Sequence, residues 1–316
     1  MIMDQAAKLR KLAQGREQKK SGTALLEPVE EEIITEEVRE PEPLLPATGK
    51  NTRVISITSG KGGVGKSTFA VNMAIIMARM GKKVLVFDGD LGLANINVLL
   101  GIIPEHNIYE VMKGKKKLRD VILTTNYGID ILAGANGISQ LANLTDSQRA
   151  TFLEEFSQLD DYDVMLIDTG AGISSNVIGL VTHADDIVIV TTPEPTAITD
   201  AYGMIKSIVA GHKEREIRLV VNRVSTAVEA KRVADRLISI SDQFLKTRVE
   251  NLGFIFEENL VQKSIRSQRP HVALHPASKS AACIHHVASR LLNIPVEDNQ
   301  QGVNGFFRKI LDKAFG

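Results

Sequence analysis

Ser59-Gly-Lys-Gly-Gly-Val-Gly-Lys-Ser-Thr68 is the stretch that decides the fold of this 316-residue chain. Gly60 through Ser67 fits the phosphate-binding pattern G-x-x-x-x-G-K-S/T. The run before it, Val54-Ile-Ser-Ile-Thr58, is apolar and β-branched, and the run after it, Ser67 to Met80, suits a helix stopped by Gly81. Strand, glycine-rich loop and helix in that order are what a phosphate loop requires. Glycines let successive backbone N–H groups turn toward one anion, and the helix start adds partial positive charge. Gly60, Lys61, Gly62, Gly63, Val64, Gly65, Lys66, Ser67 and Thr68 are therefore the expected nucleotide-binding set. Within it Lys66 would reach the β- and γ-phosphates and Ser67 would ligate Mg2+.

Outward from this loop, apolar β-rich runs alternate with helical patterns. Strands are expected at Val54–Thr58, Lys83–Asp88, Ile129–Ala133, Asp163–Asp168, Asp186–Thr192, Ile217–Asn222 and Leu252–Phe256. Helical stretches between most of them predict an α/β fold with a doubly wound, mainly parallel sheet over residues 51–295. Ligands bind such sheets beyond the carboxyl ends of the strands. The loop, Asp88, Asp90 and Asp168 all fall there. His285 and His286 are neighbours and diverge on a helix, so they are not expected to hold a metal.

The early Lys61 narrows the reading. With it, the loop resembles the deviant Walker A loop of the MinD/ParA family of ATPases. In that family the early lysine reaches the partner subunit's nucleotide, so ATP joins two subunits face to face. The resemblance implies ATP and Mg2+ as cofactors, a homodimer with ATP, and catalytic roles for Lys61 and Lys66. Val84-Leu-Val-Phe-Asp-Gly-Asp-Leu-Gly-Leu-Ala-Asn95 is similar to the family's D-x-D switch segment, which gives Asp90 the attacking water to orient and Asp88 a place in the magnesium shell. Asp168, in Val164-Met-Leu-Ile-Asp-Thr-Gly-Ala-Gly172, resembles the Walker B aspartate that holds a magnesium-bound water. Asn222, closing Leu219-Val-Val-Asn-Arg223, resembles the family's adenine-contacting asparagine. The Asn/Thr-Lys-x-Asp guanine motif is absent, which favours adenine. Glu194 and Asp200 follow a strand in a segment that resembles the family's dimer face.

The two ends differ from the middle. Residues 1–20 are basic and helix-favouring, and residues 21–50 include a stretch, 27–46, with eight Glu, four Pro and one basic residue, the composition of an extended solvated linker. Asp4-Gln-Ala-Ala-Lys-Leu-Arg10 resembles the D-Q-A-x-x-L-R segment of the FlhG group of flagellar-number ATPases, also called FleN or YlxH. That resemblance implies a helix that binds the signal-recognition-type GTPase FlhF and stimulates its hydrolysis. Asp4, Gln5, Leu9 and Arg10 would make the contact, with Gln5 positioning a water. Flagellar switch-complex proteins are further partners the group implies.

Residues 296–316 are expected to be a hydrophilic link and a short basic amphipathic helix. Phe306, Phe307, Ile310, Leu311 and Phe315 form its apolar side, and Arg308, Lys309, Asp312 and Lys313 are polar. It resembles MinD's membrane-targeting tail, although the same period also suits a helix docked on the core. Aromatic burial and lysines near anionic headgroups would hold it at a membrane surface in the ATP state.

Lys+Arg and Asp+Glu are both 38, a net charge of zero that does not favour a DNA-binding role. The single Cys283 cannot form an internal disulfide. The charged N-terminus lacks the apolar core of a secretory leader, and no run approaches the ~18 apolar residues of a membrane span. The expected location is cytoplasmic, with peripheral contact at the inner face of the membrane. A division-site MinD protein and a ParA-like DNA-segregation ATPase are the alternatives that share the core.

Overall fold

The computed structural model describes residues 52–90, 95–134, 145–157, 159, 161–212, 214–293 and 305–310. Asp4, Gln5, Leu9, Arg10, Leu311 and Phe315 lie outside the described residues, and with them the expected partner helix and the acidic linker.

Eight strands form one sheet: β1 (Arg53–Ser59), β2 (Val84–Gly89), β3 (Ile122–Thr124), β4 (Asp130–Leu132), β5 (Val164–Ala171), β6 (Asp186–Thr191), β7 (Ile217–Val224) and β8 (Val249–Phe256). Their spatial order is β3-β4-β2-β5-β1-β6-β7-β8. Every pairing is parallel except β3 with β4 at the edge. The helices in chain order are α1 (Lys66–Arg79), α2 (Asn95–Leu100), α3 (Ile108–Met112), α4 (Leu118–Val121), α5 (Asp146–Ser157), α6 (Ser175–His183), α7 (Pro195–Val209), α8 (Ala227–Leu245), α9 (Asn259–Arg266), α10 (His271–Leu274) and α11 (Lys279–Asn293). Residues 305–310 form a further helix, α12.

Strand alternation sorts the core into layers on the two faces of the sheet. Ile55 and Ile57 of β1, with Val84 and Val86 of β2, face a cluster built around α1 and α11. Val54, Leu85 and Phe87 point the opposite way, into a cluster with α3, α5 and α12. A third cluster packs α7 and α8 on β6 and β7. Burial on both faces is why the central strands read as continuous apolar runs. β1 lies between β5 and β6, so the crevice above its carboxyl end is where the strand order turns.

The described part of the C-terminal helix is docked on the body of the protein. Phe306, Phe307 and Ile310 are 2%, 0% and 8% exposed, not presented to the outside. Phe307 packs edge-on against Phe87 at 5.8 Å and Phe152 at 5.5 Å, and against Phe156 at 3.9 Å between ring centroids. The apolar face expected for lipid is covered by the ATPase body, because α5 and β2 offer it an aromatic surface. Residues 305–310 thus share an apolar cluster with β2 and α5.

Candidate nucleotide site

The loop leaves β1 with its backbone pressed against α7. A Cβ on Gly60 would stand 2.1 Å from the Asp200 carbonyl oxygen, so only glycine fits there. Gly65 has φ +90°, the left-handed region, and caps α1 with no side-chain acceptor on the first-turn N–H groups. Those amides open on a cleft of about 910 Å3 lined by the loop, Ser67, Thr68, Asp90, Asn95 and Arg223.

Beneath the loop, Lys66 Nζ donates to Asp168 Oδ1 at 2.6 Å, with side chains 7% and 0% exposed, and to Ser67 Oγ at 3.4 Å. Burial raises the Asp168 carboxyl above the usual carboxylate range, while Lys66 and Ser67 pull it back. Asp168 Oδ2 is buried with no hydrogen-bond partner. An orphaned carboxylate oxygen beside a hydroxyl is the donor set a hard cation or its bound water takes. The glycine-lined amides, Lys66, Ser67 and Asp168 therefore fit a Mg2+–triphosphate.

Asp90 lines the same cleft. Asn95 Nδ2 donates to Asp90 Oδ2 at 3.1 Å, and a Cβ on Gly170 would lie 3.5 Å from Asp90 Oδ1. The ends of β2 and β5 are thus brought together over the phosphate site. Asp88, expected in the magnesium shell, lies buried at the carboxyl end of β2. It is 1% exposed, and its two oxygens accept the N–H groups of Asp90 at 3.1 Å and Ile96 at 3.4 Å. Each Asp88 oxygen thus holds a backbone N–H of the chain that follows β2. Burial, and then the charge of Asp168 on the neighbouring strand, push its carboxyl up to about 7.

Lys61 is held within its own chain. Its Nζ donates to Glu194 Oε2 at 3.0 Å and Thr196 Oγ1 at 2.9 Å, at the start of α7. Glu194 therefore contacts the signature lysine in cis. Asn222 Nδ2 donates to the Val64 carbonyl at 2.7 Å and lines a second pocket of about 570 Å3 that abuts the cleft. Its wall comes from far along the chain: Ile255 to Glu258, Gln262, His271, Ser280 and Ile284. Glu258 accepts from the Ser280 N–H at 2.7 Å, and His271 Nε2 meets Ser280 Oγ at 2.7 Å. Sequence reasoning missed this wall, since these residues form no local motif; only Asn95, inside the quoted switch segment, was within its reach. Among the described residues no cluster of His, Cys, Asp or Glu makes a separate metal site.

A phosphate loop at the turn of a parallel sheet, a lysine–aspartate pair beneath it and a second lysine at its start define a MinD/ParA-class P-loop ATPase. The chain matches the AAA domain family over residues 52–221. It is 35% identical to the antiactivator FleN of Pseudomonas aeruginosa over 81% of this chain and 91% of that protein. It is 33% identical to the flagellum site-determining protein YlxH of Helicobacter pylori, over 83% of this chain and 90% of that one. Among solved structures, MinD complexed with Mg-ADP from Pyrococcus horikoshii superposes with a TM-score of 0.60 at 27% identity, over 80% of this chain and 98% of that one. The chain belongs to the FlhG (FleN/YlxH) family of MinD-related ATPases.

Proposed function

We propose that this ATPase is an ATP-dependent dimerising switch that sets flagellar number or placement. ATP would join two copies across the loop face, and hydrolysis would return the monomer. The observation that carries the reading is the pair of lysines in one loop, each tied to an acid of its own chain: Lys66 to Asp168 and Lys61 to Glu194. A triphosphate supplies the competing negative charge for both. Lys66 transfers from Asp168 to the phosphates and releases that carboxylate toward magnesium, which would neutralise charge developing on the transferred group. Lys61 leaves Glu194 and Thr196 for the nucleotide of the second copy. Asp90, held by Asn95, orients the attacking water. Asn222 and the pocket beside it take the adenine.

Two further parts belong to the proposal. Residues 1–20 would dock on the GTPase FlhF and stimulate it, with Asp4, Gln5, Leu9 and Arg10 in contact; a short segment on an acidic tether can reach a partner independently of the core. The C-terminal segment would bind an anionic membrane surface in the ATP state. For that, α12 must leave the site where Phe307 is now buried, so its lipid-binding face is stored until dimerisation frees it. The names of the FleN and YlxH relatives support the flagellar role.

The test is Lys61→Ala against wild type in light scattering with Mg-ATP and Mg-ADP. Wild type should be dimeric only with ATP. The variant should bind ATP and stay monomeric. A variant that dimerises as wild type does would remove Lys61 from the interface and the switch reading with it.

A further inference from the structure

The connection from α3 to α4 reads Lys113-Gly-Lys-Lys-Lys-Leu-Arg119, five cations and no acid in seven residues of a chain whose charges cancel overall. The fold buries Leu118 and leaves the five cations exposed. Lys113 sits over the Tyr109 ring at 5.4 Å and Arg119 meets Asp161 at 3.4 Å. Among the described residues, no acid pairs with Lys115, Lys116 or Lys117. Three adjacent unpaired ammonium groups repel one another, and an anionic partner is what relieves that repulsion.

The position of this loop says which partner. Met112 and Leu118, which flank it, share an apolar cluster with Phe306, Phe307 and Ile310. Its Leu118 N–H donates to Glu155 of α5 at 2.7 Å, and the same helix supplies Phe152 and Phe156 to Phe307. Basic loop and stored tail thus lean on one helix, and α12 adds exposed Arg308 and Lys309. A single short amphipathic segment binds a bilayer only marginally, and a polybasic patch is a second signal that makes such binding stable. A duplex nucleic acid would use the cations but not the neighbouring apolar segment, and the loop offers no aromatic side chain of its own for base stacking.

We propose that Lys113, Lys115, Lys116, Lys117 and Arg119 form a second membrane-docking surface, taking the headgroups of anionic phospholipids beside the stored tail. The loop attracts the chain to the bilayer with α12 close at hand, so that release of the tail occurs where it can insert. This rests on the membrane role of the C-terminal segment proposed above. Each lysine should strengthen partition to a phosphatidylserine-rich surface by roughly five-fold at low salt.

The test is sedimentation of the full chain in Mg-ATP with phosphatidylcholine vesicles and with vesicles carrying about one-third phosphatidylserine. Wild type, a Lys115→Gln/Lys116→Gln/Lys117→Gln variant and a chain lacking Phe306–Gly316 are compared. The triple variant should lose about 10²-fold in partition to the anionic vesicles, keep its ATP turnover, and approach wild type as salt screens the charge. Wild-type partition by the triple variant, with binding abolished by the tail deletion, overturns the second surface and leaves the tail role standing. No sedimentation of wild type with either vesicle overturns the tail role and the second surface together. A triple variant that loses duplex DNA binding and keeps vesicle binding assigns the patch to nucleic acid and overturns the proposal.

Discussion

Asp88→Asn should change how the stability of the ligand-free chain depends on pH. Asp88 is 1% exposed, and burial together with the Asp168 charge raises its carboxyl from 3.8 to about 7. Between those values the folded chain keeps a proton that the unfolded chain has lost, so stability falls as pH rises through this window. The full shift corresponds to about 4 kcal/mol, of which about 2–3 kcal/mol is lost between pH 5 and pH 8. Asparagine does not titrate. It can accept only one of the two N–H groups, from Asp90 and Ile96, that Asp88 now serves, a cost of about 1–3 kcal/mol that is the same at every pH. The difference in stability, variant minus wild type, should therefore rise by about 2–3 kcal/mol from pH 5 to pH 8. For a body of this size that is about 4–12 °C in Tm. Thermal unfolding followed by circular dichroism, without nucleotide, reads it directly. Taking the difference removes every other titrating group that the two chains share. A Tm difference that stays level across pH 5 to 8, or moves the other way, would refute the raised carboxyl and with it the picture of two aspartates crowded beneath the loop.

Further outcomes follow from the same geometry. Gly65→Ala should lower affinity for a fluorescent ATP analogue by about 10²-fold or more with the fold intact, since its Cβ would meet Asn222 Nδ2 at 2.4 Å and φ there is +90°; unchanged binding would show that the loop opens freely. Asp90→Ala should slow hydrolysis by about 10²-fold and accumulate an ATP-bound dimer in size-exclusion chromatography, as removal of a water-orienting group does; a monomeric, ATP-loaded variant would count against the switch. Phe156→Ala removes a ring that packs against Phe307 and weakens tail docking by about 1–3 kcal/mol, so binding to anionic vesicles should appear in ADP as well as ATP; a folded variant that still needs ATP would show that docking does not govern release. A peptide of residues 1–20 should raise the maximal GTPase rate of an FlhF-type partner, and Gln5→Ala should lower that maximum at saturation, not only the apparent affinity.

The phosphate-binding loop was legible in the sequence because everything that builds the loop itself is local. One decapeptide supplies the turn, the cation and the hydroxyl, and β-branched runs mark the strands around it. β3 escaped notice because three residues at an edge, Ile122–Thr124, leave no period to read. The backbone contacts of Asp88 were not legible for a different reason. A carboxylate at a strand end looks the same whether it faces the cleft or the backbone of a returning loop, and only the fold puts the N–H groups of Asp90 and Ile96 on its oxygens. The C-terminal helix shows the limit of amphipathic patterns in general. The period says that Phe306, Phe307 and Ile310 share one apolar side; it does not say what covers it. Here the cover is Phe87, Phe152 and Phe156, drawn from segments some 150 to 220 residues away, a magnitude typical of contacts that loop closure, not local propensity, decides. The pocket beside Asn222 is the extreme case, since its wall is assembled from β8 through α11 and no local motif joins those residues.

One physical theme links the loop and the tail. The two lysines and the apolar helix face that the proposed cycle uses are each already satisfied inside the monomer by a substitute. Asp168 stands in for phosphate at Lys66, Glu194 and Thr196 for the second copy's nucleotide at Lys61, and Phe152 and Phe156 for lipid at Phe307. A buried lysine left unpaired would cost several kcal/mol, and so would an apolar helix left in water, so a monomer without substitutes would be poorly stable. With them, ligand binding exchanges one satisfied contact for another, and the free energy separating the two states is a small difference between large terms. The substitutes differ in strength. The Lys66–Asp168 pair is buried and must be displaced by a doubly or triply charged group, whereas Lys61 and Glu194 are 32% and 59% exposed and their pair is worth no more than about 1 kcal/mol. In the proposed cycle the strong pair is the one the nucleotide must displace, and the weak pair is the one that yields on dimerisation.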